Sequence, residues 1–227
     1  MSIGSVFKVL ARDARQRLEG SPPPSSVIPP EPLKLRRGGF VEIDTVPFRM
    51  LGDRTNFALE ACAQPIAARG LVDLNGSWLH RYYLDDDATW IQVKTDGGTD
   101  DANVSECIVW QYWDTKTPAN HTELKLIAGP ASEIGLPTYT IDKFVYRRVW
   151  GVSPGQTELV PFREQVFDRS DTVARFSCQH YAMLYRRQIP DSERQEYVLI
   201  SVEECPDSLQ VVTSVGVDLS PADLTVT

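Results

Sequence analysis

Residues 71–93 read LVDLNGSWLHRYYLDDDATWIQV, and this stretch decides the fold class. Apolar and polar residues alternate on both sides of Asn75-Gly76, a dipeptide that favours the two-residue turn of a β-hairpin because both residues tolerate positive φ. A second turn, Asp85-Asp86-Asp87-Ala88, separates the next two alternating runs. The sequence therefore predicts a three-stranded antiparallel meander, with one strand ending at Leu74 and the others at 78–84 and 89–93.

The same alternation, broken by turn residues, extends over most of the chain. Further strands are predicted at 40–50, 106–113, 138–141, 144–150, 159–167, 174–187, 196–203 and 209–218, with a turn of helix near 56–63. This pattern indicates a mainly β (β-rich α+β) fold with few short helices. Antiparallel meander hairpins would form a barrel, a sandwich or two small packed sheets, and in the last case a sub-domain boundary falls near 115–137.

Charge divides the chain into three parts. Residues 1–37 carry a net charge of +4, so that residues 38–227 carry −12 of the total of −8. Residues 1–20 are predicted as a short basic amphipathic helix or a disordered tail. Residues 21–37 form a proline-rich linker, because proline lacks the N–H that helices and strand ladders need. Residues 38–227 are the β-rich acidic domain.

Composition excludes several classes of protein. Acidic residues outnumber Lys and Arg by 31 to 23, which argues against nucleic-acid binding because that affinity comes from bases that neutralise phosphates. No apolar run is long enough to cross a bilayer, and charged residues interrupt any secretory signal. We expect a cytoplasmic protein, with weak peripheral contact of residues 1–20 with the inner membrane as an open alternative.

No motif of catalysis or of cofactor binding stands out. The strings for a serine nucleophile elbow and for a phosphate-binding loop are missing, so we assign no catalytic residue and no cofactor and favour a non-enzymatic protein. The four cysteines contain no Cys-x-x-Cys pair and are expected to be buried free thiols: Cys62, Cys107, Cys178 and Cys205. Asp85, Asp86 and Asp87 are weak candidates for a metal site, and a solvated hairpin tip is the alternative.

The most distinctive pattern is arginine beside aromatic residues on predicted strands. Tyr, Trp and Arg dominate the energetics of protein interfaces, which suggests a partner-binding face. The candidate residues are Arg81, Tyr82, Tyr146, Arg147, Arg148, Trp150, Tyr185, Arg186 and Arg187. The alternative is pairing inside the domain, with Glu42, Glu164 and Glu196 as salt partners of the arginines.

Several segments together resemble the YjfK-like family of uncharacterised bacterial proteins. They include GFVEIDTVPF at 39–48, RYYLDDD at 81–87, YRRVW at 146–150, MLYRR at 183–187, EYVLISVEE at 196–204 and VGVDL at 215–219. The similarity covers most of 38–220 and leaves the N-terminal segment and linker outside. It implies a genetic context beside a phage-shock-A-like membrane-stress protein, and it supplies no active-site residues.

Two functional hypotheses follow. The first is a non-catalytic accessory protein, linked to bacterial envelope or membrane stress, that binds a protein partner near the membrane; a phage-shock-A-like protein is the implied partner. The second is a domain or enzyme for a small cationic ligand, such as a polyamine. In that case clustered carboxylates would hold the ligand, and the candidates are Asp85, Asp86, Asp87, Glu164 and Glu196.

Overall fold

The computed structural model describes residues 28–60, 63–98 and 100–227; the predicted N-terminal helix, most of the proline-rich stretch and Cys62 lie outside them. The strands are β1 Phe40–Ile43, β2 Ala63–Asp73, β3 Ser77–Leu84, β4 Thr89–Asp96, β5 Val104–Lys116, β6 Thr138–Ile141, β7 Phe144–Arg148, β8 Val160–Phe167, β9 Phe176–Gln188, β10 Gln195–Cys205, β11 Ser208–Asp218 and β12 Leu224–Val226. The helices are α1 Val46–Arg49 and α2 His121–Ala128. Single 3-10 turns occupy Pro32–Lys34, Gly52–Arg54, Asp101–Asn103 and Pro221–Asp223.

Eight strands close into an antiparallel barrel in the order β2-β3-β4-β5-β11-β10-β9-β8, and β8 completes the circle by pairing with both β9 and β2. This confirms the predicted mainly β class and selects the barrel among the three architectures. Strands from both sides of 115–137 belong to this one sheet, since β5 pairs with β11. Outside the circle, β1 pairs with the start of β2 on one side and with β12 on the other. Strand β7 pairs with β6 and with Tyr185 and Arg186 near the end of β9.

The first hairpin forms as the sequence predicts. Asn75 and Gly76 have φ values of 57° and 118°, so both central residues of the turn are left-handed, as a type I′ turn requires. Strands β2 and β3 then pair from Asp73 opposite Trp78. The Asn-Gly dipeptide therefore fixes the register of the first two barrel strands.

Side chains alternate between two hydrophobic clusters. One face of the barrel strands lies inside the barrel, where the cluster includes Trp90 on β4, Trp110 on β5, Phe162 on β8 and Leu199 on β10. The opposite face is covered by the segment before β2, the two helices and the loop before β6. These covering elements contribute Leu35, Phe48, Leu124 and Ile134, among others, to the second cluster. Because both faces are covered, the strands contain long runs of buried residues rather than a simple alternation.

Two glycines make room inside the barrel for larger side chains from neighbouring strands. A Cβ at Gly70 on β2 would overlap the carboxylate of Glu164, and a Cβ at Gly216 on β11 would lie 2.6 Å from the Trp110 ring. Trp110 and Tyr197, from the strands on either side of β11, thereby bring their ring centroids within 6.1 Å. These glycines are required for close approach and not for an unusual φ.

Gly216→Ala is expected to destabilise the fold by about 1–3 kcal/mol, because the added methyl group overpacks a full interior. Chemical denaturation of the variant measures the effect. Gly155→Ala is the matched control, since the nearest atom to its added Cβ is 3.9 Å away. Equal midpoints for the two variants would contradict the packing described for Trp110.

The chain before β1 packs on the barrel from residue 28 onward, within the predicted linker. Buried Arg69 on β2 donates a hydrogen bond from Nη2 to the carbonyl of Pro29 at 2.9 Å, and its Nη1 lies 3.3 Å from Glu31 Oε1. The backbone N–H of Leu33 donates to Asp101 Oδ1 at 2.6 Å. Residues 29–33 of the linker are therefore held against the barrel by these contacts.

Local structure departs from the predictions at three places. The strand predicted at 40–50 ends at Ile43, because Asp44 Oδ1 accepts from the Val46 N–H and starts α1. Residues 56–60 form no helix. Helix α2 was not predicted; the Asn120 carboxamide caps it by accepting from the N–H groups of Thr122 and Glu123.

The prediction of free thiols is wrong for one pair, since Cys178 and Cys205 form a disulfide. The antiparallel register of β9 and β10 places them side by side after the last pair, Gln179 with Glu204, a proximity that a separation of 27 residues conceals. Cys107 is free and buried, as predicted. Within the described ranges no helix has the length and apolar character to span a bilayer.

Candidate functional site

The barrel interior contains a buried ionic network. Arg81 Nη1 on β3 lies 2.7 Å from Glu164 Oε2 on β8, and the Tyr83 hydroxyl donates to Glu164 Oε1 at 2.7 Å. His180 Nε2 on β9 lies 3.0 Å from the same Oε2. The Arg81 and Glu164 side chains are only 4% and 1% exposed, so each charge depends on the other for its stability.

Aromatic rings hold the Arg81 guanidinium from both sides. Its carbon lies 5.0 Å from the centre of the Trp90 ring and 5.2 Å from that of Phe162, distances at which cation–π attraction is effective. Trp90 lies on β4 and Phe162 on β8, which are three strands apart in the barrel. Because both rings contact the Arg81 guanidinium, the network lies at the centre of the barrel. Burial alone would raise the pKa of Glu164, but Arg81, His180 and Tyr83 lower it to about 2.

A hydrogen-bonded row leads from this network toward β10. His180 Nδ1 lies 3.0 Å from the Ser201 hydroxyl on β10, within hydrogen-bond distance. The order serine, histidine, glutamate matches that of a hydrolase triad. However, Ser201 is 3% exposed and the free space beside it is too small for an acyl substrate. The row therefore orders the interior rather than presenting a nucleophile.

That free space is a cavity of about 30 Å³. Its inner wall consists of Arg81, Trp90, Leu199, Ser201, Val212 and Ser214, and its outer wall of Tyr83, Tyr112 and Glu203. The outer residues are half-buried or exposed, and Tyr112 is 42% exposed. The cavity is thus the bottom of an opening in the barrel, which we call the barrel mouth and define by Tyr83, Tyr112 and Glu203.

A β-bulge shapes the barrel mouth. Ser214 on β11 pairs with Tyr112 on β5 and Thr213 pairs with Asp114, which leaves Trp113 as the extra residue. Bulges re-aim side chains and often occur next to functional sites. Here the bulge leaves Tyr112 and Trp113 side by side at 42% and 44% exposure. Two exposed large aromatic residues that are adjacent in sequence, one of them in the wall of an opening, are typical of an interface hot spot.

The barrel mouth is acidic. Burial raises the pKa of Glu203, while the nearby His180 opposes that rise and Glu164 adds to it. Asp87 lies close by in the β3–β4 turn, where the backbone N–H of Tyr112 donates to the neighbouring Ala88 carbonyl at 3.0 Å. Burial, Glu203, Glu164 and Asp87 all raise the pKa of Tyr112, which Arg81 lowers. With Arg81 already neutralised by Glu164, the remaining charge at the opening is negative.

A wider depression of about 430 Å³ lies on the outer face beside β1 and the β3–β4 turn. Its polar walls are already engaged, because Asp86 Oδ1 accepts from the N–H groups of Ala88 and Thr89. The Gln111 side chain likewise accepts from the Ala58 N–H. We therefore place the candidate site at the barrel mouth instead.

The nine predicted partner-binding residues do not form one surface. Arg81, Tyr82, Tyr146 and Tyr185 are buried. Arg148, Trp150 and Arg187 are half-buried, and only Arg147 and Arg186, opposite each other on β7 and β9, are exposed. The alternative of internal pairing is confirmed for two arginines, since Arg81 pairs with Glu164 and Arg187 with Glu196 at 2.5 Å. Glu42 is exposed on β1.

The five acids proposed for a cationic ligand are also separated. Glu164 lies inside the barrel, whereas Glu196 is buried on the outer face, where it accepts from the Thr55 hydroxyl and the Asn56 N–H. Asp85, Asp86 and Asp87 lie at the exposed tip of the β3–β4 hairpin. Across 28–60, 63–98 and 100–227, no group of three or more His, Cys, Asp or Glu side chains is arranged to hold a metal ion.

Comparison with known proteins identifies the family. The family model described as "Protein of unknown function (DUF2491)" matches residues 8–225, and the chain belongs to this family. The match includes residues 8–37, which were expected to lie outside the region of similarity. The chain is 27% identical over 175 residues to "Uncharacterized protein YjfK" of Escherichia coli (strain K12), covering 76% of this chain and 78% of the relative. No solved structure matches the chain.

Proposed function

We propose that this family member is a non-catalytic binding protein that holds a protein partner at the barrel mouth. The observation that carries the proposal is the pair Tyr112 and Trp113, adjacent at a bulge in β5 and 42% and 44% exposed, with Tyr112 in the wall of an acidic opening. Rigid aromatic side chains bury much area at little entropic cost, which explains their role in interface hot spots. The buried Ser201 and His180 favour binding over catalysis.

The likeness to the YjfK-like family supplies the cellular side of the proposal. On the genetic context that this resemblance implies, we propose a role in bacterial envelope or membrane stress, with a phage-shock-A-like protein as the first partner to test. Residues 1–20 would add a weak peripheral contact with the inner membrane through their basic side chains. Truncation of residues 1–20 tests this membrane contact, and the same partner assay on the truncated protein tests the barrel mouth.

A small cationic ligand is the second candidate function. The specific observation in its favour is the negative charge of the barrel mouth, where Glu203 and Asp87 flank the Tyr112 ring. This differs from the acid set predicted from sequence, because of those five residues only Glu164 and Asp87 lie near the opening. The ligand would have to be narrow, since the cavity measures about 30 Å³.

Site-specific photo-crosslinking tests the protein-binding function. With p-benzoylphenylalanine in place of Trp113, we expect one defined protein adduct in living bacterial cells, identified by mass spectrometry. The same amino acid at Leu126, which is 72% exposed on α2, is the control and should not give this adduct. The recombinant partner should then bind Trp113→Ala at least about tenfold more weakly than wild type. Identical adducts from both positions, or equal affinities, would contradict the proposal.

A further inference from the structure

We propose that the cavity of the barrel mouth binds one primary ammonium group, carried either by a lysine side chain or by a small alkylamine. The lysine case rests on the proposed function, since the partner would supply the side chain. The amine case stands without it. Size, charge and hydrogen-bonding groups of the cavity each support a primary ammonium over other cations.

The size of the cavity selects the head group. About 10–15 Å³ suffices for a single water molecule, so a cavity of about 30 Å³ accommodates a group the size of water or ammonium. A guanidinium or a trimethylammonium head is several times larger and does not fit. The outer wall of Tyr83, Tyr112 and Glu203 leaves the cavity open to the surface, so an alkyl chain has a way out.

The charge of the cavity comes from Glu203. Glu164 is already paired with Arg81 at 2.7 Å, so the charges of these two side chains offset each other. Glu203 Oε1 lies 3.6 Å from His180 Nδ1. The Glu203 side chain is 27% exposed and lines the cavity. An incoming ammonium therefore meets a carboxylate that no Lys or Arg side chain pairs with in the described structure.

The remaining walls suit the three N–H donors of an ammonium. The Ser201 hydroxyl lies within hydrogen-bond distance of His180 Nδ1, and its oxygen has two lone pairs that can accept. Ser214 contributes a second hydroxyl at the inner wall. Tyr83 and Tyr112 line the outer wall, and aromatic rings attract a cation that approaches their faces. One carboxylate, two hydroxyls and two aromatic rings form a complete environment for a lysine head group.

Titration of the full-length protein with n-butylammonium chloride tests this inference, followed by the indole N–H resonances of the tryptophans. We expect saturable shifts that include Trp90, a wall residue. n-Butanol tests the need for charge, and n-butyltrimethylammonium and n-butylguanidinium test the size limit. These three should bind at least about tenfold more weakly. Equal binding of any of them would overturn the inference.

Glu203→Gln should weaken n-butylammonium binding at least about tenfold, whereas Glu204→Gln should leave it unchanged. Glu204 is the exposed neighbour on β10 and points away from the cavity. Tyr112→Leu is a second test at an exposed position that the fold does not depend on, and weaker binding is expected there too. Binding that survives both Glu203→Gln and Tyr112→Leu would overturn the site.

Two ligands separate the sources of the ammonium group. Nα-acetyl-lysine methylamide represents a protein side chain, and 1,4-diaminobutane represents a free amine; the tighter ligand identifies the source. A specific Trp113 adduct without binding of either ligand would overturn the ammonium site and leave the protein-binding function standing. Ammonium binding without an adduct would support the site and contradict the protein partner, in favour of the small-ligand function.

Discussion

Glu164→Gln is expected to destabilise the protein by about 3–5 kcal/mol, because it leaves the Arg81 guanidinium buried without a counter-ion. Arg81 is only 4% exposed and lies between Trp90 and Phe162, so the small cavity beside it leaves too little room for water to replace the lost carboxylate fully. Urea denaturation at pH 7 measures the effect. Glu204→Gln is the matched control at an exposed position on β10, where a change within about 0.5 kcal/mol is expected.

Replacing both partners should recover much of the lost stability. In Arg81→Met/Glu164→Met no charge is left in the interior, and Met adapts its shape to irregular space. The double variant should therefore be more stable than Glu164→Gln. A single variant as stable as wild type would show that water reaches Arg81, contrary to its burial here.

The same pair makes stability depend on acid pH. The pKa of Glu164 is lowered to about 2 in the folded protein, against about 4.3 in an unfolded chain. A group with a lowered pKa contributes stability that is complete above the unfolded value and is lost as the pH falls through the folded value. Wild-type stability should therefore fall between about pH 4 and pH 2. Glu164→Gln lacks this carboxylate, so its decline over that range should be smaller.

Reduction of the Cys178–Cys205 disulfide is expected to lower the free energy of unfolding by about 3–4 kcal/mol, the chain-entropy value for a loop of this length. The bond joins the start of β9 to the end of β10 across a separation of 27 residues. Urea denaturation with and without tris(carboxyethyl)phosphine measures the difference. Cys178→Ser/Cys205→Ser should match the reduced protein and should not respond to the reductant.

Cys107→Ala controls for the other described cysteine, which is buried and free. This variant should keep the full response to the reductant, because it retains the disulfide. An unchanged midpoint for reduced wild-type protein would contradict a stabilising role of the bond. Loss of the response in Cys107→Ala would indicate that Cys107 takes part in the pairing.

Local chemistry made the fold predictable where a few adjacent residues determine the backbone. Asn75-Gly76 requires a hairpin with left-handed turn residues, and the alternating runs around it can form only strands. Helix α2 escaped prediction because it is a single short element whose main signal is the Asn120 cap. Closure of the barrel by β8 depends on pairing with β2, which is distant in sequence and leaves no local trace.

The candidate site was less predictable for the same reason. Glu164 and Glu196 were correctly expected to pair with arginines, but charge alone did not indicate that they lie on opposite faces. Tyr112 and Glu203 were missed because their shared opening depends on the order of β5, β11 and β10, and the exposed Trp113 was missed because it depends on a bulge. The adjacent aromatic residues Tyr112-Trp113 break the alternation of β5, and this was the available signal.

The junction of β2 and β8 has a consequence for how the barrel opens. These strands pair only through residues 69–72 and 164–167, whereas β9 and β10 pair from 179–188 along most of their length. Local unfolding starts where few backbone hydrogen bonds have to break. The short pairing of β2 with β8, which includes Glu164, is therefore the place where we expect the barrel to open first. A transient separation of β2 from β8 would expose the Arg81–Glu164 pair to water before the other strands separate. Loss of this ion pair and opening of the barrel would then be one event.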